Sequence, residues 1–299
     1  MRRIRLVAIF CLLLIVAAAC GGETTAPSSG GDTGTAGKEG NDLLAVVKER
    51  GRLIAWTAPA YPPQSARTPD GGWEGFDIDV TAEISERLGL TEDVEYVTPA
   101  FDAMTVGNWS GRYDLSVGST TITPEREQVL FFTEPYYFTP ASAAVHTDNT
   151  DIQDPAGDLD GATIGVCQAC SYDLYLQGKL ELLGEKVPSE ISEAEVQSYN
   201  TDTTAIQDLA LGDGVRLDAV MSALPTLEEA IANDTAIKVV GDPLFYEPLG
   251  VAIDKESPED PQAFFEEVNR IIKEMHSDGT LTELSKKWYD GTDLTKETS

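Results

Sequence analysis

Residues 110–126 read SGRYDLSVGSTTITPER, and the order of residue types within them decides how the chain folds around that point. Residues 113–119 have the apolar and β-favouring content of a strand, and the hydroxyl run that follows reads as a turn. A helix should start next, with Thr123 as its N-cap, Pro124 at the first helical position and Glu125 at the positive end of the dipole. Turn and helix-start N–H groups point outward and suit an oxyanion. Arg126 adds a planar fork of donors that grips a carboxylate bidentately, which a lysine cannot do. The stretch therefore reads as a carboxylate holder. A plainer reading stands beside it: an ion pair of Arg126 with Glu125, Glu127 or Glu134 on a solvated surface.

Outward from this point, short β-rich runs alternate with amphipathic helical stretches, the pattern of α/β layers. Strands are expected over residues 52–57, 93–98, 161–166, 196–200, 217–222 and 236–241. Helices are expected over 76–89, 101–109, from about Ser171, and over 203–211, 224–232, 261–276 and 279–289. In the first of these Val80, Ile84 and Leu88 share one face. Two such series exceed what one small core takes, so the chain reads as two lobes.

The chain begins with Arg2, Arg3 and Arg5 ahead of 14 apolar residues at 6–19. A membrane-crossing helix takes about 20, whereas a basic start and a small-residue end suit an export signal over 1–19. Cys20 directly follows Ala17, Ala18 and Ala19 and resembles the lipidation site of bacterial lipoproteins, although that motif prefers leucine where Ala17 stands. The alanines equally fit the cleavage site of a freely secreted protein. Residues 20–41 are rich in Gly, Ser and Thr without apolar periodicity and read as a flexible linker. A chain of that length spans about 25 Å in root-mean-square terms. It would tether a domain to a membrane if Cys20 is lipidated.

The sequence carries 51 Asp and Glu against 21 Lys and Arg, a net charge of −30; loss of residues 1–19 removes three arginines and no acid, leaving −33. Such a field disfavours nucleic acid as a partner, repels free anions, attracts cations and leaves zwitterions nearly indifferent. The same acidity also keeps an exported protein soluble.

Several pieces then recur in a particular order: AYPP, GFDIDV, the quoted stretch, FFTEPYY, DLDGATIGV, LDAVMSALPT, GDPLFYEPLGVAI and SDGTLTELSKKWYDG. Together, from about Arg52 to Gly291, they resemble the extracellular solute-binding proteins, family 3, which capture polar amino acids for ABC importers. The resemblance implies an α/β, two-lobed periplasmic-binding-protein fold of type II, with two hinge strands joining the lobes. One lobe would be 42–139 with 248–299, the other 144–242, with crossings near 139–143 and 243–247. It also implies that Arg126 and Thr121 take the ligand α-carboxylate, that Ser119 meets the ligand's main-chain polar groups, and that Tyr61 and Phe101 sandwich it. Contacts from the second lobe would come from Ser171 and the Cys170 backbone. Trp56 and Trp109 stand where the family has smaller or polar residues, and either narrow the cleft or fill the core.

Two departures stand out. The family ends its D-A-V strand with an aspartate that accepts the ligand ammonium, and here Ala223 occupies that place, so another acid must serve or the ligand lacks a standard ammonium. Asp173 and Glu247 are the candidates. Ala58 replaces an acid found in relatives that bind cationic side chains, while Gln64 and Arg67 either face the ligand or lie on the surface. The second departure is VCQACSYD. With Cys11 in the signal and Cys20 at the lipid site, Cys167 and Cys170 are the pair left to form a disulfide in an exported protein. A zinc site lacks ligands beyond His146 and His276, and a thioredoxin-like redox pair has the spacing without the fold context.

The reading that emerges is a lipid-anchored, monomeric binding protein outside the cytoplasm. It would close on a small carboxylate-bearing ligand, an amino acid or derivative, and pass it to an ABC permease without a cofactor. The alternatives are a ligand sensor for a separate signalling partner and a dehydratase-like enzyme of the same fold. The sequence contains no G-x-G-x-x-G, P-loop or H-E-x-x-H.

Overall fold

The computed structural model describes residues 41–297. The expectations for the export signal, for Cys20 and for all of the linker but residue 41 lie outside the described residues.

The strand within the quoted stretch, Leu115–Thr121, is buried along its whole length and belongs to a nine-stranded sheet. Towards one end of that sheet, Leu115–Thr121, Ile54–Trp56 and Glu95–Val97 run parallel. Towards the other, Ala219–Ala223, Thr163–Cys167 and Glu195–Tyr199 do the same. Between these groups lie two long strands, Tyr137–His146 and Ile237–Asp254, antiparallel to each other and to the group each one flanks. Parallel strands of one sheet need crossover connections, which the helices Phe76–Arg87 and Asp202–Leu209 supply.

Each parallel group buries its own apolar side chains. Phe76, Val80 and Ile84 repeat every four residues, so one helix face meets Leu115 and Val117, and Phe264, Val268 and Ile272 of the helix Gln262–Ser277 complete that core. Ile164, Val166, Met221, Tyr172 and Tyr175 build a second core, and Leu209, Val220 and Leu227 a third. Each such side chain contributes about 1.5–3 kcal/mol on burial. The molecule is a two-lobed α/β protein whose lobes share a sheet through two long strands.

Three elements depart from expectation. The helix expected from Thr123 is only a 3-10 turn, Arg126–Gln128, with the Arg126 N–H donating to Thr123 Oγ1 at 3.3 Å. It ends because residues 130–132 join the long strand Ile237–Asp254. The helix from Phe101 stops at Thr105. Gly107 and Asn108 turn left-handed there, and the Asn108 and Trp109 N–H groups donate to the Asp254 carboxylate at 3.1 and 2.6 Å. Finally, the strand expected over 236–241 continues to Asp254, with a register slip between Val240 and Phe245 where Gly241 takes φ +64°.

Candidate functional site

Four parallel strands deliver their carboxyl ends to one cavity of about 290 Å³. Trp56 ends Ile54–Trp56, Ser119 and Thr121 end Leu115–Thr121, Cys167 ends Thr163–Cys167, and Asn200, Thr201 and Asp202 follow Glu195–Tyr199. Ligand sites of parallel α/β sheets lie at such ends, because loops and helix starts there present unpaired backbone groups.

Of the seven residues expected to contact a ligand, Tyr61, Phe101, Ser119, Thr121, Cys170 and Ser171 line this cavity. Arg126 stands behind them. It is 4% exposed, lies 5.2 Å over the Phe101 ring, and donates from Nη1 to the Thr121 carbonyl at 2.7 Å and from Nη2 to the Ala169 carbonyl at 3.0 Å. A guanidinium has five N–H donors, so these contacts orient the fork without exhausting it. Burial lowers the Arg126 pKa to about 10, while Glu247 and then Glu125 act to raise it. The solvated ion pair considered for Arg126 is not what the structure contains.

Two acids line the same cavity. Glu247 is buried on the long strand Ile237–Asp254, hydrogen-bonded by Ser171 Oγ and, at 3.5 Å, by Thr121 Oγ1. Burial pushes it up to about 7, against the opposing pull of the Ser171 hydroxyl and Arg126. Asp202 opens the helix Asp202–Leu209 and accepts from Ser222 Oγ at 2.6 Å; burial pushes it up to about 6. Among the described residues, no Lys or Arg lines the cavity. A cationic group entering it would meet two carboxyls and relieve their desolvation.

These positions bear on the acids named from sequence. Ala223 is fully buried at the end of Ala219–Ala223 and does not line the cavity, whereas Asp202 reaches towards that strand from the adjacent helix. Of the two acids named from sequence, Glu247 lines the cavity and Asp173 does not. Asp173 instead accepts from the Ala169 N–H at 3.1 Å. Asp202 went unrecognised because an acid after Thr201 at a helix start reads as ordinary capping, and the Thr201 hydroxyl does accept from the Thr204 N–H at 3.3 Å. The available signal was its place just after a parallel strand.

Ser119 lines the cavity with its donors already engaged. Its N–H donates to Tyr136 Oη at 3.0 Å and its hydroxyl to Asp77 Oδ2 at 2.7 Å, so both donors are used inside the lobe. Tyr61 meets Tyr172 hydroxyl to hydroxyl at 3.3 Å. Trp56 lines the cavity and donates to the Pro99 carbonyl at 2.9 Å, while Trp109 is core, donating to the Met104 carbonyl at 2.8 Å. Ala58 also lines the cavity. Gln64 is buried against Thr226, and Arg67 is exposed over the Trp73 ring, so neither faces it.

Cys167 and Cys170 form a disulfide, both lining the cavity. Between them Ala169 takes φ +58° and presents its carbonyl to Arg126. Further hydrogen bonds run between the two parallel groups: Gln168 Nε2 to Asp102 Oδ2 at 3.0 Å, and Thr203 Oγ1 to the Ala60 carbonyl at 2.9 Å.

The model of the bacterial extracellular solute-binding proteins, family 3, matches residues 53–291. The L-cystine-binding protein TcyJ of Escherichia coli (strain K12) is 30% identical over 255 residues, covering 85% of this chain and 88% of that protein. The L-arginine-binding protein of Pseudomonas aeruginosa is 31% identical over 238 residues, 77% and 85% of the two chains. Among solved structures, the P235GK mutant of ArgBP from T. maritima superposes with a TM-score of 0.70 at 25% identity, covering 83% of this chain and 99% of that one. The ancestral amino acid-binding protein AncCDT-1, a precursor of cyclohexadienyl dehydratase, gives 0.68 at 28% identity over 83% and 99%.

Proposed function

Because the chain belongs to the bacterial extracellular solute-binding proteins, family 3, we propose that it captures a small ligand bearing a carboxylate and an ammonium, an amino acid or derivative, for an ABC importer. The observation that carries this reading is the charge arrangement around the cavity: one buried arginine fork behind the wall at Thr121, with Glu247 and Asp202 in the lining itself. Arg126 and Thr121 take the carboxylate. Asp202 and Glu247 take the ammonium, helped by the Ser119 carbonyl, since that residue's donors are spent on Tyr136 and Asp77. Tyr61 and Phe101 cover the ligand, and the Cys170 backbone and Ser171 meet it from the other side.

The moving parts we assign are a lobe of 42–139 with 248–299 and a lobe of 144–242, crossing near 139–143 and 243–247. The register slip between Val240 and Phe245 supports that assignment, because an irregular ladder bends more easily than a regular one. Closure shifts a population of open and closed forms through ligand contacts available only when both lobes meet. In this reading the protein works outside the cytoplasm as a monomer. A lipid on Cys20 holds it to the membrane beside its permease, and it returns its ligand chemically unchanged.

The test is a thermal-shift screen of the twenty standard L-amino acids and L-cystine, on the native chain and on Arg126→Ala. A ligand at about 100 times its Kd stabilises the folded state by about 2.7 kcal/mol. One compound class should shift the native protein and not the variant, and mass spectrometry should recover it intact. A shift that survives in Arg126→Ala, or that requires no carboxylate, removes the proposed site.

A further inference from the structure

We infer that Asp77 is a positioning residue for ligand binding: it locks Ser119 in a left-handed backbone conformation and so sets the carbonyl edge of the cavity. The inference rests on the binding role proposed above and adds a residue that lies outside the cavity lining.

Ser119 has φ +53°, a region that costs a non-glycine residue of the order of 1–3 kcal/mol and persists only where surroundings over-determine it. The sheet does not hold it there. Leu115–Thr121 pairs with the long strand at Thr121 and Thr120 and then only at Ser116, so Ser119 falls in a gap of the ladder. What holds it is a closed ring of hydrogen bonds. The Ser119 N–H donates to Tyr136 Oη, Tyr136 Oη–H donates to Asp77 Oδ1 at 2.7 Å, and the Ser119 hydroxyl donates to Asp77 Oδ2. Tyr137 Oη lies 2.6 Å from the same Ser119 oxygen and supplies the remaining donor.

Asp77 is fully buried, among Phe76, Tyr136, Tyr137 and Tyr289, and its side-chain partners are hydroxyls rather than a cation. A carboxyl in such a place is expensive to desolvate. Its position in the first turn of the helix Phe76–Arg87 offsets part of that cost through the dipole. The ring calls for a carboxylate, because both hydroxyl donors need an acceptor on one rigid group. An asparagine has one acceptor oxygen, and its NH2 would face a hydroxyl that already accepts one hydrogen bond and whose own hydrogen would then lack an acceptor.

The experiment begins with a crystal structure of Asp77→Asn, for which we expect Ser119 to leave the left-handed region. Affinity is then measured with whichever of the twenty standard L-amino acids or L-cystine most stabilises the native protein. Asp77→Asn should weaken it at least tenfold. Glycine takes a positive φ unaided, so in a Ser119→Gly background Asp77→Asn should cost less than threefold, whereas a merely structural role would cost the same in both. Ser119 staying at positive φ in Asp77→Asn, or equal losses in the two backgrounds, overturns the inference. If Asp77→Asn does not fold, Tyr136→Phe opens the same ring and takes its place. If no compound binds the native chain, the proposed function fails while the Ser119 conformation still decides this inference.

Discussion

Gly118 shows how little room the cavity wall leaves. A Cβ there would lie 2.3 Å from Trp56 Cζ3 and 2.8 Å from Cε3, and the indole is tethered through its Nε1 to the Pro99 carbonyl. The absent side chain therefore sets where Trp56 stands, and Trp56 sets one wall of the binding space. Gly118→Ala is expected to cost about 1–3 kcal/mol, the usual range for overpacking a filled core. Its φ is not left-handed, so contact alone is the cause. Urea denaturation of Gly118→Ala, and of the same variant carrying Trp56→Leu, checks this. Measured against Trp56→Leu alone, Gly118→Ala should cost much less in the Trp56→Leu background than in the native chain, and an equal cost in both would mean that the indole is not the obstacle.

The loop closed by Cys167 and Cys170 joins local stiffness to the site. It places the Ala169 carbonyl on Arg126 and carries the second parallel group's contact to Asp102 through Gln168. A ring this short constrains the unfolded chain weakly, by roughly 2 kcal/mol at most. Losing it should nevertheless free Ala169 from its left-handed conformation and release one arm of the arginine fork. The double variant Cys167→Ser, Cys170→Ser is thus predicted to lose affinity at least tenfold while its urea midpoint falls only modestly. Treating the native protein with a dithiol reductant should reproduce the effect. Unchanged affinity in both experiments would confine the disulfide to a structural role.

Across the molecule, buried acids tie stability to pH. Burial is the main cause that pushes Asp77 and Glu247 up to about 7 and Asp202 up to about 6. In the unfolded chain these groups release their protons near pH 4, so between about pH 4 and 7 the folded state binds more protons. Stability they contribute below pH 4 is lost as pH rises through that window, at up to about 1.4 kcal/mol per pH unit for each group. The net charge of −30 adds self-repulsion of the same sign. Ligand affinity should move the opposite way, rising from pH 5 to 8 as Asp202 and Glu247 ionise to receive an ammonium. Melting temperatures with and without ligand, measured across that range, should diverge. In Asp202→Asn with Glu247→Gln both slopes should flatten, and unaltered slopes would exclude these acids as the source.

What the amino-acid order determined by itself was much of what near neighbours govern. The four-residue spacing of Phe76, Val80 and Ile84 specified a helix face, and the ordered pieces from Arg52 to Gly291 carried the family resemblance that implied two hinge-joined lobes. The Cys167–Cys170 pair was legible because the other two cysteines, Cys11 and Cys20, fall in the stretch read as an export signal and at the expected lipid site. The strand Tyr137–His146 was not legible in the local pattern, and only the resemblance placed a hinge crossing near 139–143, since Pro140 and its alanines carry little β preference; neighbours on both sides supply its pairing, and Pro140 lies just outside the stretch that pairs with Ala219–Ala223. Asp202 was hidden for a related reason. A first-turn acid looks the same whether it caps a helix or faces a cavity, and only the packing of one parallel group against the other puts it in the same space as Glu247 and Thr121. The strained backbone of Ser119 is likewise set by Asp77, 42 residues away, through a ring of hydrogen bonds that no local pattern encodes. Periodicity and turn chemistry act over a few residues, whereas the charge balance of a cavity depends on groups that only the folded chain brings together.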